Sequence, residues 1–466
     1  MLKEECGVVA IAGNKGVSED LYLSLKSLQH RGQEAAGIAT YLNKLYLYKN
    51  SGMVEEVFNI NKVHALKGNV GIGHVRYSTK GSSVPLNAQP FKAKTTQGDI
   101  AIAHNGEIVN ANELKEKMQK NGVIFSGTSD SEVIVQLLGR ALELTHDPIK
   151  SINYLMDEIK GAFSLVILIA NRVFAIRDSY GIRPLCLGKY DKGYIIASES
   201  VVIDHLNGTF IRDILPGEAV EITENSVHTL FSKKSGRAHC MFEWVYFSRP
   251  DAVIEGKLSY HVRVKLGEIL AKEKPVDADI VVPVPDSGRP HALGFSRESG
   301  ILLEEGLMKN RYSSARTFIM PDEKKRKDAV KLKLNAIKNV VDGKRIVLCD
   351  DSIVRGTTMN EIVKILRLAG AKEVHVRIGS PPIIAPCYYG IDMKTREELI
   401  APGKTENEIA IMLGADSVGY ISIEGLSKAI GLDPSSLCLG CVTGKYPIKV
   451  KAELSRKQKQ LLDFFQ

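Results

Sequence analysis

No stretch of this sequence is both long and apolar enough to cross a bilayer. The strongest run, Leu165 to Ala170 with its neighbours, falls far short of the roughly 20 residues a spanning helix needs. The N-terminus, Met1-Leu2-Lys3-Glu4-Glu5, lacks the apolar core of a secretory signal. Low-complexity tracts are missing, and no internal repeat makes the two halves duplicates of one another. Cysteine is sparse and odd in number, seven in 466 residues. Without a signal segment, that points to reduced thiols in the cytoplasm rather than a disulfide framework. Charge of one sign is not concentrated either: the net +8 is spread along the chain. The densest basic cluster, Lys324 to Lys327, reads as a solvated loop or a docking site for phosphorylated small molecules. Tyr and Phe are not interleaved with Lys and Arg, so nucleic-acid and membrane partners are not expected.

What is present suits two globular domains, because 466 residues exceed one ordinary core. The first half reads as strands with a few helices. Val8 to Ala12 and Lys44 to Tyr48 have strand character, Phe163 to Ala170 is a buried strand, and Leu21, Leu25 and Leu28 share a helical face that ends at His30-Arg31-Gly32. Ser129-Asp130-Ser131-Glu132 has the form of a capping box opening a helix through Val133, Leu137 and Leu138. A different rhythm begins near residue 240. A helix over Lys257 to Lys272 precedes a strand, Ile280 to Val284, that ends in Pro285-Asp286-Ser287-Gly288. Strand Arg345 to Cys349, a helix from about Met359 to Leu368 and strand Glu373 to Ile378 follow. This order predicts a parallel α/β sheet, with the domain boundary between Phe231 and Asp251.

Three groups of residues carry candidate chemistry. Cys6 lies near the start. If Met1 to Glu5 were removed, its α-amine, with an ordinary pKa of about 7.7–8.0, would serve as base to its own thiol. The bland alternative is a small buried side chain. Asp350-Asp351 ends an apolar strand and runs through Gly356-Thr357-Thr358 into a helix. A helix start favours anions, and two carboxylates there suit sugar hydroxyls or a hard cation; an acidic turn is the alternative. Cys438-Leu439-Gly440-Cys441, with distant Cys240 and Cys387, suits zinc, an iron–sulfur cluster, a redox pair or an inert turn. Cys186 and Cys349 sit in apolar strand contexts and read as core.

Four motifs of the first half closely resemble the N-terminal-nucleophile glutaminase domain of glutamine phosphoribosylpyrophosphate amidotransferases. They are Glu5-Cys6-Gly7-Val8, Leu28-Gln29-His30-Arg31-Gly32-Gln33-Glu34, Gly73-His74-Val75-Arg76-Tyr77-Ser78-Thr79 and His104-Asn105-Gly106. The short segment before Cys6 is similar to the self-cleaved pro-segment of some members. Val347 to Thr358 resembles the phosphoribosylpyrophosphate loop of type I phosphoribosyltransferases, and Val284-Pro285-Asp286-Ser287 their pyrophosphate loop. Lys309 to Tyr312 and Arg316 to Ile319 match the family as well. Two features depart from it: Asp322 to Arg326, where uncharged residues usually precede a single Arg, and Lys331, where Arg is usual.

The resemblance implies an αββα glutaminase sandwich over residues 6–235, after a removed segment 1–5, then a type I phosphoribosyltransferase α/β sheet over 236–466 with a cluster-binding tail. It implies Cys6 as nucleophile, Asn105 and Gly106 as oxyanion donors, and Arg76 and Asp130 as clamps for the glutamine carboxylate and ammonium groups. The Asn-Gly pair alone would read as a turn. Phosphoribosyl pyrophosphate with Mg²⁺ falls to Ser287, Asp350, Asp351, Ser352, Arg355, Gly356, Thr357 and Thr358. The contexts of Cys240, Cys387, Cys438 and Cys441 match the iron–sulfur branch, where such cysteines ligate one [4Fe–4S] cluster of structural role. A homotetramer inhibited by purine nucleotides is implied too, with Lys309 and Arg311 as contacts. The implied reaction converts glutamine and phosphoribosyl pyrophosphate to 5-phosphoribosylamine, the first intermediate of purine synthesis. The rivals are a glutaminase-type transferase with another acceptor and a non-enzymatic ligand sensor that keeps the phosphoribosyltransferase fold.

Overall fold

The computed structural model describes residues 6–77, 85–310, 334–393 and 395–450. Segment 1–5, Arg311, the Lys324 to Lys327 cluster and Lys331 lie outside the described residues.

The first half is built on two antiparallel sheets, of seven and six strands. Strand β1 (Gly7–Gly13) lies at the centre of the larger sheet, beside β2 (Val70–Arg76). The smaller sheet holds β3 (Phe91–Thr95), β4 (Gly98–Ile108) and β5 (Gly161–Ile169). Strand alternation explains the layering. Val9 and Ile11 face outward to Leu21 and Leu25 of helix α1 (Ser18–Ser27) and to Leu28, all fully buried. Val8, Ala10 and Ala12 face inward, against Ala101, Ala103, Val166 and Leu168 of the other sheet. The outer face of β4 and β5 supplies Ile100, Ile102, Leu165 and Ile167 to Ile134, Leu138 and Leu142 of helix α2 (Asp130–Thr145). Each such leucine or isoleucine stabilises the stack by about 1.5–3 kcal/mol. Helix, sheet, sheet, helix is the sandwich the resemblance implied.

One local expectation is corrected, and one bland alternative is excluded. The capping box at Ser129 is not formed. The Ser129 hydroxyl accepts from the Ser131 N–H at 3.3 Å, but Glu132 turns to the N–H groups of Ser126 and Gly127, both at 2.7 Å. The preceding loop folds back within reach of this buried carboxylate and leaves two donors for it to satisfy. Asn105-Gly106 is no turn but part of β4.

In the second half the parallel sheet is present. Strands β6 (Ile280–Pro283), β7 (Arg345–Asp350) and β8 (Glu373–Ile378) run side by side, flanked by Leu302–Leu303 and Ser417–Tyr420. Helix α3 (Thr357–Leu368) follows β7 and buries Met359, Ile362, Val363 and Leu366 on the sheet. The predicted helix over Lys257 to Lys272 starts at Ser259, because Lys257–Leu258 pairs with Val253–Ile254. Between the halves a π-helical turn, Glu243–Phe247, buries Trp244 completely. No described helix is long and apolar enough to cross a membrane.

Candidate functional site

Cys6, Arg76, Gln89, His104, Gly106 and Asp130 line one cavity at the edge of the sandwich. Four of the five residues assigned to glutamine therefore come together; the fifth, Asn105, lies between two of the liners. Cys6 stands directly before β1, and its half-buried thiol donates to the Tyr77 carbonyl at 3.5 Å. Asn105 shares the inward parity of Ala101 and Ala103, and its buried side-chain N–H₂ has no partner. Asp130 opens α2 and accepts from the Ile108 N–H at 3.1 Å.

The edge of β4 explains what this cavity offers. β3 pairs with β4 only as far as Ile102. Beyond it, His104 N–H donates to Gln89 Oε1 at 2.7 Å and Ile108 N–H to Asp130. Alternate residues of a strand share an edge, so the N–H of Gly106 faces the same way, between the two. Only glycine fits there: φ is +131° and a Cβ would lie 2.0 Å from the Ala162 carbonyl oxygen. Burial lowers the pKa of His74 to about 3, so its Nε2–H donates to the His104 carbonyl at 3.1 Å as a neutral ring. Burial also lowers that of His104, against the pull of Asp130. Positive charge at the cavity therefore comes from Arg76.

Arg31 stands within a sequence motif that announces no role for it. It is fully buried, and its Nε donates to the Cys6 carbonyl at 3.1 Å. Its two terminal nitrogens grip Glu243 at 3.0 and 2.8 Å, and one also reaches Glu199 at 2.7 Å. Burial opposes ionisation of Glu199, but His30 and Arg31 outweigh it and hold the pKa at about 2. The folded value is depressed, so the stability it contributes is present above the unfolded value near 4.5 and is lost as pH falls towards 2. We predict a loss of roughly 3 kcal/mol across that window. Glu199→Gln flattens the dependence, and thermal midpoints at pH 5 and pH 3 check it; equal slopes in both proteins would remove the assignment.

The second cavity is lined by Asp350, Ser352, Arg355, Gly356, Thr357 and Thr358, with neighbours. It lies at the carboxyl end of β7, where open α/β sheets hold ligands. Asp351 is buried beside it, 2% exposed, and its Oδ2 has no partner. Burial and the Asp351 charge push the Asp350 carboxyl well above its ordinary value. Gly356, at φ +77°, caps α3, whose first-turn N–H groups suit an anion. The loop after β6 lies alongside: Val284 N–H donates to the Cys349 carbonyl at 2.9 Å, and half-buried Ser287 sits in that loop. Arg355 pairs with Glu398, and Lys309 Nζ with Asp286 at 3.0 Å.

Cys240, Cys387, Cys438 and Cys441 line a third cavity, with Arg183, Tyr389 and Tyr446. Strands His239–Cys240 and Leu437–Cys438 pair in parallel and set two of the thiols side by side. Tyr389 N–H donates to Cys387 Sγ at 3.4 Å. Burial pushes the Cys438 thiol up to about 12, so thiolates here call for a compensating cation. Yet among the described residues no three His, Cys, Asp or Glu gather closely enough for one metal ion. Four thiols lining one cavity offer the soft ligands that zinc or an iron–sulfur cluster takes. Cys186 and Cys349 are buried core residues, as expected.

A glutamine amidotransferase domain model matches residues 74–205 and a phosphoribosyl transferase domain model matches residues 259–378. The amidophosphoribosyltransferase of Methanocaldococcus jannaschii is 50% identical over 96% of this chain and 98% of its own. That of Bacillus subtilis is 44% identical over 96% and 95%. The solved glutamine phosphoribosylpyrophosphate amidotransferase of B. subtilis, complexed with ADP and GMP, superposes with a TM-score of 0.89 at 42% identity, covering 96% of this chain and 98% of that one. With the Cys6 and Asp350 cavities on one chain and these likenesses along nearly all of it, the chain belongs to the amidophosphoribosyltransferase family and is a glutamine amidotransferase joined to a phosphoribosyl transferase.

Proposed function

We propose that the first cavity releases ammonia from glutamine and the second delivers it to 5-phosphoribosyl 1-pyrophosphate, the entry step of purine synthesis. The observation that carries this reading is the gathering of Cys6, Arg76, Gly106 and Asp130 around one cavity of a chain that holds a second at the Asp350 to Thr358 loop. Arg76 clamps the glutamine α-carboxylate and Asp130 its α-ammonium. The Cys6 thiol loses its proton to its own α-amine and attacks the side-chain carbonyl carbon. The Gly106 N–H and the unpartnered Asn105 amide receive the oxyanion. The amine returns the proton to the leaving ammonia, and water cleaves the thioester to glutamate. Ammonia then attacks ribose C1 and pyrophosphate departs. Asp350 and Asp351 hold the ribose hydroxyls, the backbone from Ser352 to Thr358 holds the 5′-phosphate, and Ser287 serves the pyrophosphate side, where Mg²⁺ supplies charge neutralisation.

The amide-cleaving domain comprises residues 6–235 and the phosphoribosyl domain 236–466. Cys240, Cys387, Cys438 and Cys441 hold a [4Fe–4S] cluster, supported by their place around one cavity. When bound, the cluster cross-links rather than transfers electrons. The four thiols tie the C-terminal segment to the junction, where Tyr389 Oη donates to the Ile448 carbonyl at 2.7 Å and Tyr446 Oη to that of Pro386 at 2.5 Å. The solved relative's complex with ADP and GMP supports purine nucleotides as regulators here; we further propose Lys309 and Arg311 as their contacts, on a cytoplasmic homotetramer. A ligand sensor would have no use for the Cys6 cavity, which weighs against the non-enzymatic reading.

Mass and metal analysis of the purified protein, prepared without air, tests maturation and the cluster together. The chain should begin at Cys6 and carry about four irons. A chain that is fully active with Met1 in place would remove the amine from the mechanism, and a colourless chain with one zinc would remove the cluster.

A further inference from the structure

We propose that Gln89 is a positioning residue for the amide-cleaving half-reaction, standing in for a missing strand beside β4. The proposal rests on the reading of Cys6 and Gly106 given above. β3 stops pairing at Phe91 and Ile102, so among the described residues no strand holds the edge of β4 that runs on towards Gly106. Gln89, two residues before β3, fills the first gap with its side chain. Its Oε1 accepts from His104 N–H at 2.7 Å and its Nε2 donates to the His104 carbonyl at 3.2 Å. These are the two hydrogen bonds a neighbouring strand would make.

The surroundings fix this amide in turn. The His74 ring donates to the same His104 carbonyl, and the His104 ring meets Ser131 Oγ at 3.1 Å. Gln89 is 4% exposed, and its backbone lies hard against Gly37, where a Cβ would come within 2.1 Å of the Gln89 carbonyl oxygen. Asn105 and Gly106 follow His104 directly, so the line of the backbone at His104 sets where both oxyanion donors point. Gln89 thus acts on the reaction through β4, with both functional atoms of its amide engaged on His104.

The oxyanion forms only after attack, so misplaced donors lower kcat and leave ground-state binding alone. Gln89→Ala is expected to lower glutamine-dependent kcat about 10- to 100-fold, less than the roughly 10²–10³-fold of deleting a donor. The glutamine KM should move less than about 3-fold and ammonia-dependent synthesis should be unchanged. Glutamic γ-semialdehyde, which Cys6 converts to a tetrahedral adduct, should bind weaker by the same factor as kcat, with the affinity for glutamate unaltered. Gln89→Met keeps the side-chain length and removes both hydrogen bonds to His104, so it should show the same pattern; it carries the test if the alanine variant does not fold. An unchanged kcat in both variants, or equal loss of the glutamine and ammonia reactions, overturns the proposal. Cys6→Ala separates the two levels. If it retains glutamine turnover, the underlying reading falls; if it loses turnover while both Gln89 variants keep kcat, only the role of Gln89 falls.

Discussion

Cys6→Ala should abolish glutamine-dependent synthesis, by roughly 10³-fold or more, and leave ammonia-dependent synthesis within about 2-fold of the parent. Without the sulfur there is no thioester, and an amide does not yield to water at a useful rate. The phosphoribosyl cavity loses nothing, because none of its lining comes from the first half of the chain. Steady-state rates with glutamine and with ammonium salt read the two reactions apart. Cys6→Ser makes the narrower point: it keeps shape and a proton donor but supplies a poorer nucleophile, so it too should lose glutamine turnover. If removal of residues 1–5 is self-catalysed, Cys6→Ala also retains them, visible as added mass. A Cys6→Ala chain that still hydrolyses glutamine would end the account of the first cavity.

Much of this site was legible in the sequence because its signals are local. The short β-rich run from Val8 to Ala12 marks a strand, and the structure buries it on both faces, with Val9 in one core and Ala10 in the other. The run from Val347 to Thr358 places two carboxylates between a strand end and a helix start, and that is the second cavity. What stayed hidden depends on contacts distant along the chain. Arg31 meets Glu243 across 212 positions, and nothing near either residue announces the partner. Gln89 carries no local signal, and its role appears only once β3 is seen to stop short of His104. Glu132 had the spacing of a capping box, but a folded-back loop offered it two better donors. Asn105-Gly106 read alone is a turn; pairing with Ser164 and Phe163 of β5 makes it a strand.

Replacing Asp350 and Asp351 together by Asn should lower glutamine- and ammonia-dependent synthesis alike, while thermal stability holds or rises. Each substitution keeps the side-chain shape and an acceptor for the Asp351 N–H and the Ser352 hydroxyl, which bond to the first oxygens of Asp350 and Asp351. What is lost is charge. Two charge-assisted hydrogen bonds to ribose, at about 1.5–3 kcal/mol each, correspond to roughly 10²-fold or more in the phosphoribosyl reaction. Stability moves the other way because two buried carboxylates repel each other, as the raised Asp350 value reflects, and the free enzyme gives Asp351 Oδ2 no partner. Rising stability with falling activity is the mark of a strained binding site, whereas a structural pair would lose both. Basal glutamine hydrolysis should survive, the reverse of the Cys6→Ala pattern. Mixing the two variants then probes how ammonia travels. Each lacks the half the other keeps, so product can form only from ammonia that escapes into solution, where at neutral pH most of it is ammonium. A lag, and a rate that climbs with pH, are expected; immediate synthesis at the parental rate would mean that ammonia is exchanged freely and that no enclosed route joins the two cavities.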